Sequence, residues 1–442
     1  MKVGFYIENK SHQGIDYSMP EKGNPGIGGT QFMFWTVAWY LKKIYVDLEV
    51  YILAPLIETM PDSLYSISCN NSVEAVRVAS SKNIDILILR GLNSDKKLFE
   101  EIEVHKQKVV FWSHNHEDNK FASLATDSQY VYKNVCVGKE QLDRLRDHKI
   151  YCKSTYIYNA LDFSCYYGYE KDVTKKIVGY MGSLTPKKGF HRLAKNWKKV
   201  LKHVPDAELY VLGGGNLYNR QCTSIGDTNI SDEKYYKKII KYLDDGTGKV
   251  ISSVKFMGIV AGNEKSEVLK KMSVGVVNPI GRETFCISAV EFEYFKIPVV
   301  TVKKNGVLDT VVNGKTGLLF NRDKDFVKYI VRLLNDHQLN EELGNNGYNY
   351  VLDNFEIKNI CLKWRKLFDE IMNGINENPN HTTEHWLNDF KLLREANRKI
   401  KCVPLLRNIP SLLFYKQILR DMIKYLMKRK NENEHKKKYI PK

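Results

Sequence analysis

The fold is constrained most by a pair of series of short apolar runs. In each series, runs rich in β-branched residues alternate with longer amphipathic stretches. This alternation is typical of βα units wound around a parallel sheet. The first series is KVGFYI, LEVYIL, IDILIL, KVVFW, NVCV and STYIYNALD. The second is KIVGYMG, ELYVLGG, VKFMG, VGVVNP, IPVVTV and TGLLF. The sequence therefore predicts an α/β protein with two doubly wound, Rossmann-like domains.

The chain length of 442 residues suits two domains of about 150 to 200 residues with appendages. We predict the first domain over residues 1–165 and the second over residues 176–354. Residues 166–175 are polar and follow neither period, which indicates a linker. We predict a crossover helix over residues 355–376 and a basic helical extension over residues 377–442. Two such domains facing each other place the loops after their strands along a central cleft.

The net charge of +17 is concentrated at one end, where residues 391–442 hold 16 Lys/Arg against 4 Asp/Glu. No nucleic-acid-binding module surrounds these basic residues, so we expect no nucleic-acid partner. No apolar run reaches the length of about 18 residues that indicates a membrane span, and MKVGFYIE lacks the features of a signal peptide. The cysteines are scattered, without a CxxC pair. We expect a cytoplasmic protein without disulfides or structural zinc.

The basic extension contains an amphipathic helical pattern. Apolar residues recur there at spacings of three and four: Leu412, Tyr415, Leu419, Met422 and Leu426. Basic residues form a second stripe: Lys416, Arg420, Lys424 and Lys428. Such a helix binds anionic membrane surfaces, with about 1 kcal/mol from each basic residue. We therefore expect the segment from Leu412 to Lys430 to attach the protein to the inner face of the membrane. A helix packed on the body of the protein is the alternative.

The segment RETFCISAVEFEYFKIPVV carries the clearest candidate chemistry. A predicted loop with Glu283 leads into a predicted helix with Glu291, eight residues later. At a helical rise of about 1.5 Å per residue this spacing is about 12 Å, close to the span from a sugar across a diphosphate to a ribose. The helix N-terminus between them offers amides to phosphate, and carboxylates accept hydrogen bonds from hydroxyls. Two surface glutamates flanking a core helix are the alternative interpretation.

The surrounding motifs resemble glycosyltransferase family 4, which has a signature of Glu, seven residues and Glu. The matching segments, over about residues 1–376, are GIGGTQ, VCVGKEQLDRL, IYNALD, YMGSLTPKKGFHRL, ELYVLGGG, VKFMGIV, IPVVT and NGVLDTVVNGKTGLLF. The resemblance implies the GT-B fold, in which two Rossmann-like domains face a central cleft. It also implies that the first domain binds the acceptor and the second binds a nucleotide sugar.

The resemblance implies a role for each donor-site residue. Glu283 would contact the donor sugar, Glu291 the ribose, and Lys188 the diphosphate. Backbone amides of four residues would hold phosphate: Thr284, Phe285, Cys286 and Ile287. Cys286 stands where the family usually has Gly. Ser183 stands where the family usually has Arg, which removes a bidentate phosphate donor, and Lys187 or Arg282 is a candidate substitute.

Two glycine pairs are further candidates for donor binding. Gly28 and Gly29 precede the first amphipathic helix, where a glycine turn lets backbone amides approach an anion. Gly213 and Gly214 follow a predicted strand without the GxGxxG spacing, so they are assigned to a turn that lines the nucleotide pocket. A tight turn without a binding role is the alternative for Gly28 and Gly29.

The segment FWSHNHED follows a predicted strand and is therefore expected to point into the cleft. His114 matches the family's active-site histidine near the transferred sugar, and we prefer it to His116. A loop histidine satisfied by backbone groups is one alternative. The other is a zinc or manganese site formed by His114, His116, Glu117 and Asp118.

The leading hypothesis is a retaining glycosyltransferase that uses a UDP- or GDP-sugar, with His114, Glu283 and Lys188 as catalytic residues. The expected acceptor is a lipid-linked or glycan hydroxyl in polysaccharide or lipopolysaccharide assembly. No metal or cofactor is expected. The alternatives are a noncatalytic partner of the same fold, which Ser183 motivates, a sugar-nucleotide epimerase or pyridoxal-phosphate phosphorylase, and a metal-dependent hydrolase.

Overall fold

The computed structural model describes six parts of the chain. They are residues 1–164, 175–215, 231–260, 262–277, 283–375 and 390–427, the last without residues 402, 407, 408, 417, 421 and 424. Almost all of the predicted linker, Arg282 and the end of the tail lie outside the described residues.

The strands form two sheets, and every strand pair in them is parallel. The first sheet contains β1 Lys2–Tyr6, β2 Glu49–Ala54, β3 Tyr65–Ser68, β4 Ile86–Arg90, β5 Val109–Ser113, β6 Val131–Cys136 and β7 Ser154–Tyr156. The second contains β8 Ile177–Met181, β9 Glu208–Leu212, β10 Val254–Gly258, β11 Val274–Val276, β12 Val299–Val302 and β13 Gly317–Phe320. Their orders are β3-β2-β1-β4-β5-β6-β7 and β10-β9-β8-β11-β12-β13.

Helices lie between most of the strands, and further helices follow β13. They are α1 Gly29–Ile44, α2 Ser72–Ser81, α3 Lys96–Val104, α4 Asn119–Asp127, α5 Lys139–Arg144, α6 Phe190–His203, α7 Glu233–Leu243, α8 Gly262–Leu269, α9 Ile287–Tyr294, α10 Val307–Thr310, α11 Asp323–Asn335, α12 His337–Phe355, α13 Ile357–Met372 and α14 Lys391–Ile400.

Both strand orders reverse next to the first strand of the sheet, at β1/β4 and at β8/β11. Loops that follow the strands on either side of such a reversal leave a crevice at the carboxyl edge of the sheet. The predicted pair of doubly wound, Rossmann-like sheets is confirmed. The predicted strands omit β3, because its sequence YSIS forms a partly exposed edge without an apolar run.

Helix α13 returns the chain to the first sheet. Its Trp364 packs edge-to-face against Trp112 of β5 at 4.8 Å, and Trp112 stacks on Phe34 of α1 at 4.9 Å. Burial of large aromatic side chains is a major source of packing energy. Helix α13, at the end of the second half of the chain (residues 175–372), is therefore held by the core of the first half (residues 1–164).

The extension is attached to the first half at Asp147. The Asp147 carboxylate accepts hydrogen bonds from Asn397 Nδ2 at 2.9 Å and from the Leu412 amide at 2.8 Å. Arg394 is 1% exposed, lies 3.5 Å from the same carboxylate and donates to the carbonyl of Asp143. Phe414 packs edge-on against the ring of His148 at 5.4 Å. Buried polar contacts thus fix the start of the predicted amphipathic helix.

Beyond Phe414, the described residues up to 427 are helical. The apolar stripe points away from the body: Tyr415, Leu419, Met422 and Leu426 are exposed by 43%, 59%, 58% and 59%. The described part of the protein therefore does not cover this stripe. Within the described residues, no helix combines the length and the hydropathy that crossing a membrane requires.

We predict that Asp147→Ala releases the extension from the body. The substitution removes a carboxylate that Arg394 and Asn397 contact, and breaking a buried ion pair costs about 3–5 kcal/mol. Amide hydrogen exchange over residues 390–416 should become at least about tenfold faster. Asp127→Ala is the matched control, because the Asp127 side chain is 68% exposed. Equal exchange in the two variants would show that Asp147 does not hold the extension.

Candidate functional site

A cavity lies between the carboxyl ends of the two sheets. The first half contributes the turn at Gly26 and Ile27, which precedes α1. The second half contributes Gly182, Ser183, Gly213, Lys265 and Glu291. The loops after β8 and β9 thus meet α8, α9 and the loop after β1 at one place, which is where the fold predicts a ligand site.

Glu283 lies in the loop between β11 and α9, and its carboxylate contacts Lys188. The distance from Lys188 Nζ to Glu283 Oε2 is 2.8 Å. The Gly306 amide donates to the Glu283 carbonyl at 2.7 Å, and a Cβ atom at residue 306 would lie 2.2 Å from the carbonyl carbon of Thr284. Glycine at 306 therefore allows the close packing that positions this loop. The structure brings together two residues predicted from separate motifs.

Glu291 lies on α9 and is 9% exposed. Its Oε1 is in contact with Nζ of Lys265, which projects from α8. Each of the two predicted donor carboxylates is therefore paired with a lysine. Lys265 is not among the predicted residues, because a single lysine on an amphipathic helix carries no motif.

The residues between the two carboxylates have different environments. Phe285 packs against Tyr158 and Phe355, with ring centroids at 6.0 and 5.4 Å, so its side chain belongs to the core. Cys286 precedes α9, and burial raises the pKa of its thiol to about 12, so the thiol is neutral. The backbone amides of residues 284–288 donate no hydrogen bond to another described residue. These amides are available to an anion at the N-terminus of α9, as the predicted phosphate role requires.

His114 follows β5 and is buried against the rings of Trp112 and Phe34, at 4.6 and 5.8 Å. Burial, reinforced by the charge of Arg90, lowers the pKa of His114 to about 3, so the imidazole is neutral at pH 7. Its Nε2 has no hydrogen-bond partner among the described residues. Its carbonyl accepts a hydrogen bond from Thr284 Oγ1 at 2.5 Å, which joins it to the loop of Glu283.

The neighbouring acidic residues do not form the alternative metal site. Glu117 accepts hydrogen bonds from Asn134 at 3.0 Å and from Gln141 at 3.2 Å, and Asp118 caps α4. His116 Nε2 lies 3.6 Å from a carboxylate oxygen of Glu140. Within the described residues, no three His, Cys, Asp or Glu side chains are grouped to hold a metal ion. His116, Glu117 and Asp118 instead contact other parts of the first half.

Among the predicted glycines, Gly213 lies at a close approach of two backbone segments. Gly213 has φ of 135°, and a Cβ atom there would lie 2.2 Å from the carbonyl oxygen of Gly182. The Gly214 carbonyl accepts a hydrogen bond from Leu184, which ties the turns after β8 and β9 together. Gly28 precedes α1, and a Cβ atom at Gly29 would lie 3.5 Å from Ile287. The N-termini of α1 and α9 therefore meet at the cleft.

Asp309, which is not among the predicted site residues, joins the two halves beside this site. Its carboxylate accepts hydrogen bonds from the amides of Lys139 and Glu140, both at 2.9 Å, and from the Tyr158 hydroxyl at 3.1 Å. Burial raises the pKa of Asp309 to about 7. Asp309 lies in the matching segment NGVLDTVVNGKTGLLF, but its contacts were not predicted, since its partners lie some 150 to 170 positions away in the chain.

Residues 168–350 match the sequence profile of the family described as glycosyl transferases group 1. The chain therefore contains a group 1 glycosyltransferase domain over these residues. Assignment to glycosyltransferase family 4 in particular remains a prediction.

The glycosyltransferase domain has characterised and uncharacterised relatives. The chain is 28% identical over 193 residues to the capsular polysaccharide biosynthesis glycosyltransferase CapM of Staphylococcus aureus, covering 43% of this chain and 44% of CapM. It is 26% identical over 237 residues to an uncharacterized glycosyltransferase of Methanocaldococcus jannaschii, covering 50% of this chain and 60% of that protein. The chain thus spans about half the length of these curated relatives.

Among solved structures, Anabaena HepE in complex with UDP and glucose superposes with a TM-score of 0.61. The alignment covers 84% of this chain and all of the HepE chain, at 15% sequence identity. This likeness concerns the fold and extends over both halves.

We predict that His114 makes the native state sensitive to acid. Because the pKa of His114 is about 3 in the folded protein and about 6.5 when unfolded, only the unfolded chain takes up this proton between those values. Stability from this residue is therefore present above pH 6.5 and is lost as the pH falls towards 3.

In denaturant unfolding between pH 7 and pH 5, His114→Asn should lose less stability than the wild type. The difference should correspond to the variant taking up about one proton fewer than the wild type when it unfolds. Exposed His337 provides the matched control, through His337→Asn. An identical pH dependence in wild type and His114→Asn would contradict a buried neutral imidazole.

Proposed function

We propose that the protein is a retaining glycosyltransferase that moves a hexose-type unit from a UDP- or GDP-sugar to an acceptor hydroxyl. The observation that carries this proposal is the pair Glu283 and Glu291, which flank the N-terminus of α9 in a cleft between two Rossmann-like sheets. Each carboxylate is paired with a lysine. The group 1 glycosyltransferase domain supports the same reaction class.

In this proposal the donor lies across the N-terminus of α9. Glu291 accepts hydrogen bonds from the ribose hydroxyls, and the free amides of residues 284–287 bind the diphosphate. Lys188 neutralises the diphosphate, and Glu283 binds hydroxyls of the sugar. The turns at Gly213 and Gly214 and at Ser183 form the wall beside the nucleotide, while the N-terminus of α1 at Gly28 and Gly29 faces the site from the first half.

The transfer step breaks the bond between the anomeric carbon and the diphosphate oxygen. The acceptor oxygen forms the new bond on the same face of the sugar, and its proton passes to the leaving phosphate oxygen. No separate carboxylate base is needed in this mechanism. Lys188 and the α9 amides stabilise the charge that develops on the leaving group, a role that requires no metal ion. Neutral His114 offers a hydrogen bond to a hydroxyl of the transferred sugar.

We further propose that the acceptor is a lipid-linked or other glycan and that the setting is polysaccharide or lipopolysaccharide assembly. The name of CapM places that relative in capsular polysaccharide biosynthesis. The first half of the chain, which holds His114, supplies the acceptor side of the cleft.

We propose that the extension binds the anionic inner surface of a membrane, which brings the enzyme to a lipid-linked acceptor. Its exposed stripe of Tyr415, Leu419, Met422 and Leu426 supplies apolar area. The basic residues of the tail supply attraction to anionic lipids. The Asp147 contacts hold this surface on the first half of the protein.

We predict that Glu291→Ala weakens binding of the nucleotide sugar. Loss of hydrogen bonds to a charged acceptor costs about 1.5–3 kcal/mol, which raises the Kd by about 10- to 150-fold. Calorimetry with the UDP- or GDP-sugar that binds the wild type measures this change. Glu264→Ala, an exposed glutamate on α8, is the matched control. Unchanged donor affinity in Glu291→Ala would reject the ribose role.

We predict that the double substitution Leu419→Glu with Met422→Glu releases the protein from anionic membranes. Two carboxylates in the exposed stripe would place charge in the headgroup region and repel the lipids. Sedimentation with phosphatidylglycerol liposomes should move most of the protein to the supernatant, with nucleotide affinity retained. Deletion of residues 403–442 should do the same. Leu362→Glu, at an exposed leucine of α13, is the control; unaltered sedimentation of the double variant would reject membrane binding.

A further inference from the structure

Among the described residues, the turn after β8 supplies no cation to the cleft where a diphosphate is expected. The turn after β8 presents Ser183 to the cavity, and this side chain carries no charge. A nucleoside diphosphate brings two or more negative charges, and the leaving diphosphate gains charge in the transition state. Lys188 supplies one positive charge on the side of Glu283. Stabilisation of such a leaving group favours a second cation close to it.

Lys265 has the position and the burial that this role requires. It projects from α8 into the same cavity as Ser183, and its side chain is 16% exposed. Its ammonium group contacts Oε1 of Glu291. Lys22, the other described lysine that lines the cavity, is exposed and comes from the first half. Among the described lysines that line the cavity, Lys265 is therefore the partly buried one and lies on the donor side.

We propose that Lys265 is the second cation that binds the donor diphosphate, in place of the arginine that Ser183 replaces. This inference rests on the proposed function, in which Glu291 binds the ribose. When the ribose hydroxyls donate hydrogen bonds to the carboxylate oxygens of Glu291, the ammonium group of Lys265 loses part of its ion pair. A buried charge without a partner is costly, so the ammonium group turns towards the diphosphate. The flexible four-carbon stem of lysine allows this movement.

The proposal makes Lys265 selective for the charged part of the ligand. Affinity for a nucleoside diphosphate should depend on Lys265, whereas affinity for the nucleoside should not. A lysine that only holds Glu291 in place would give a different result. Removing such a lysine would weaken the nucleoside and the nucleoside diphosphate equally, because both contain the ribose.

Calorimetry with full-length Lys265→Met tests this difference. UDP and uridine are the probes, or GDP and guanosine if the wild type binds GDP. The diphosphate Kd should rise about 10- to 100-fold, and the nucleoside Kd should stay within about threefold. Lys265→Arg should keep most of the diphosphate affinity, because it retains the positive charge. Lys271→Met, at an exposed lysine after α8, is the matched control.

If the wild type binds the diphosphate, two results would overturn the Lys265 proposal and leave the proposed donor class standing. One is an unchanged diphosphate Kd in Lys265→Met. The other is an equal loss for diphosphate and nucleoside, which would assign Lys265 to positioning Glu291. A wild type that binds neither UDP nor GDP would instead overturn the proposed donor class, and the Lys265 proposal with it. A large loss for the diphosphate with nucleoside affinity retained supports the proposal.

Discussion

The hydrogen bond from Thr284 to the carbonyl of His114 joins the two halves at the point on which the site depends. It fixes the loop that carries Glu283 to the end of β5 in the first sheet. Asp309 strengthens the same junction, because its buried carboxylate binds two amides of α5. The carboxyl ends of both sheets therefore face one cavity, as the doubly wound topology requires.

In the proposed function, charge pairing determines what the cleft binds. Each predicted donor carboxylate has a lysine beside it, Lys188 at Glu283 and Lys265 at Glu291. The pairs offset the cost of holding carboxylates in a poorly solvated cleft. A donor with hydroxyl groups and a diphosphate can replace the partner of each carboxylate and of each lysine. Hydroxyls satisfy the carboxylates, while phosphate oxygens satisfy the ammonium groups, which matches the chemistry of a nucleotide sugar.

Local patterns predicted much of this arrangement. Apolar runs gave all strands except the polar edge strand β3, and the position of Glu283 and Glu291 around a helix start followed from one segment. Lys265 and Asp309 could not be predicted, because their partners are distant in sequence and no spacing rule connects them. The same is true of Asp147, which binds residues some 250 positions further along the chain. The side chain of Phe285 belongs to the core, whereas its predicted role concerns only the backbone.

Retention of configuration at the anomeric carbon is the central claim, because the acceptor is proposed to attack the face of the sugar from which the diphosphate departs. Proton NMR of the anomeric signal, recorded while purified protein consumes an α-linked UDP- or GDP-sugar, tests this claim directly. We predict that the first-formed product, transferred or hydrolysed, is the α-anomer. A β-anomer as the first product, or no consumption of donor with any acceptor, would contradict it.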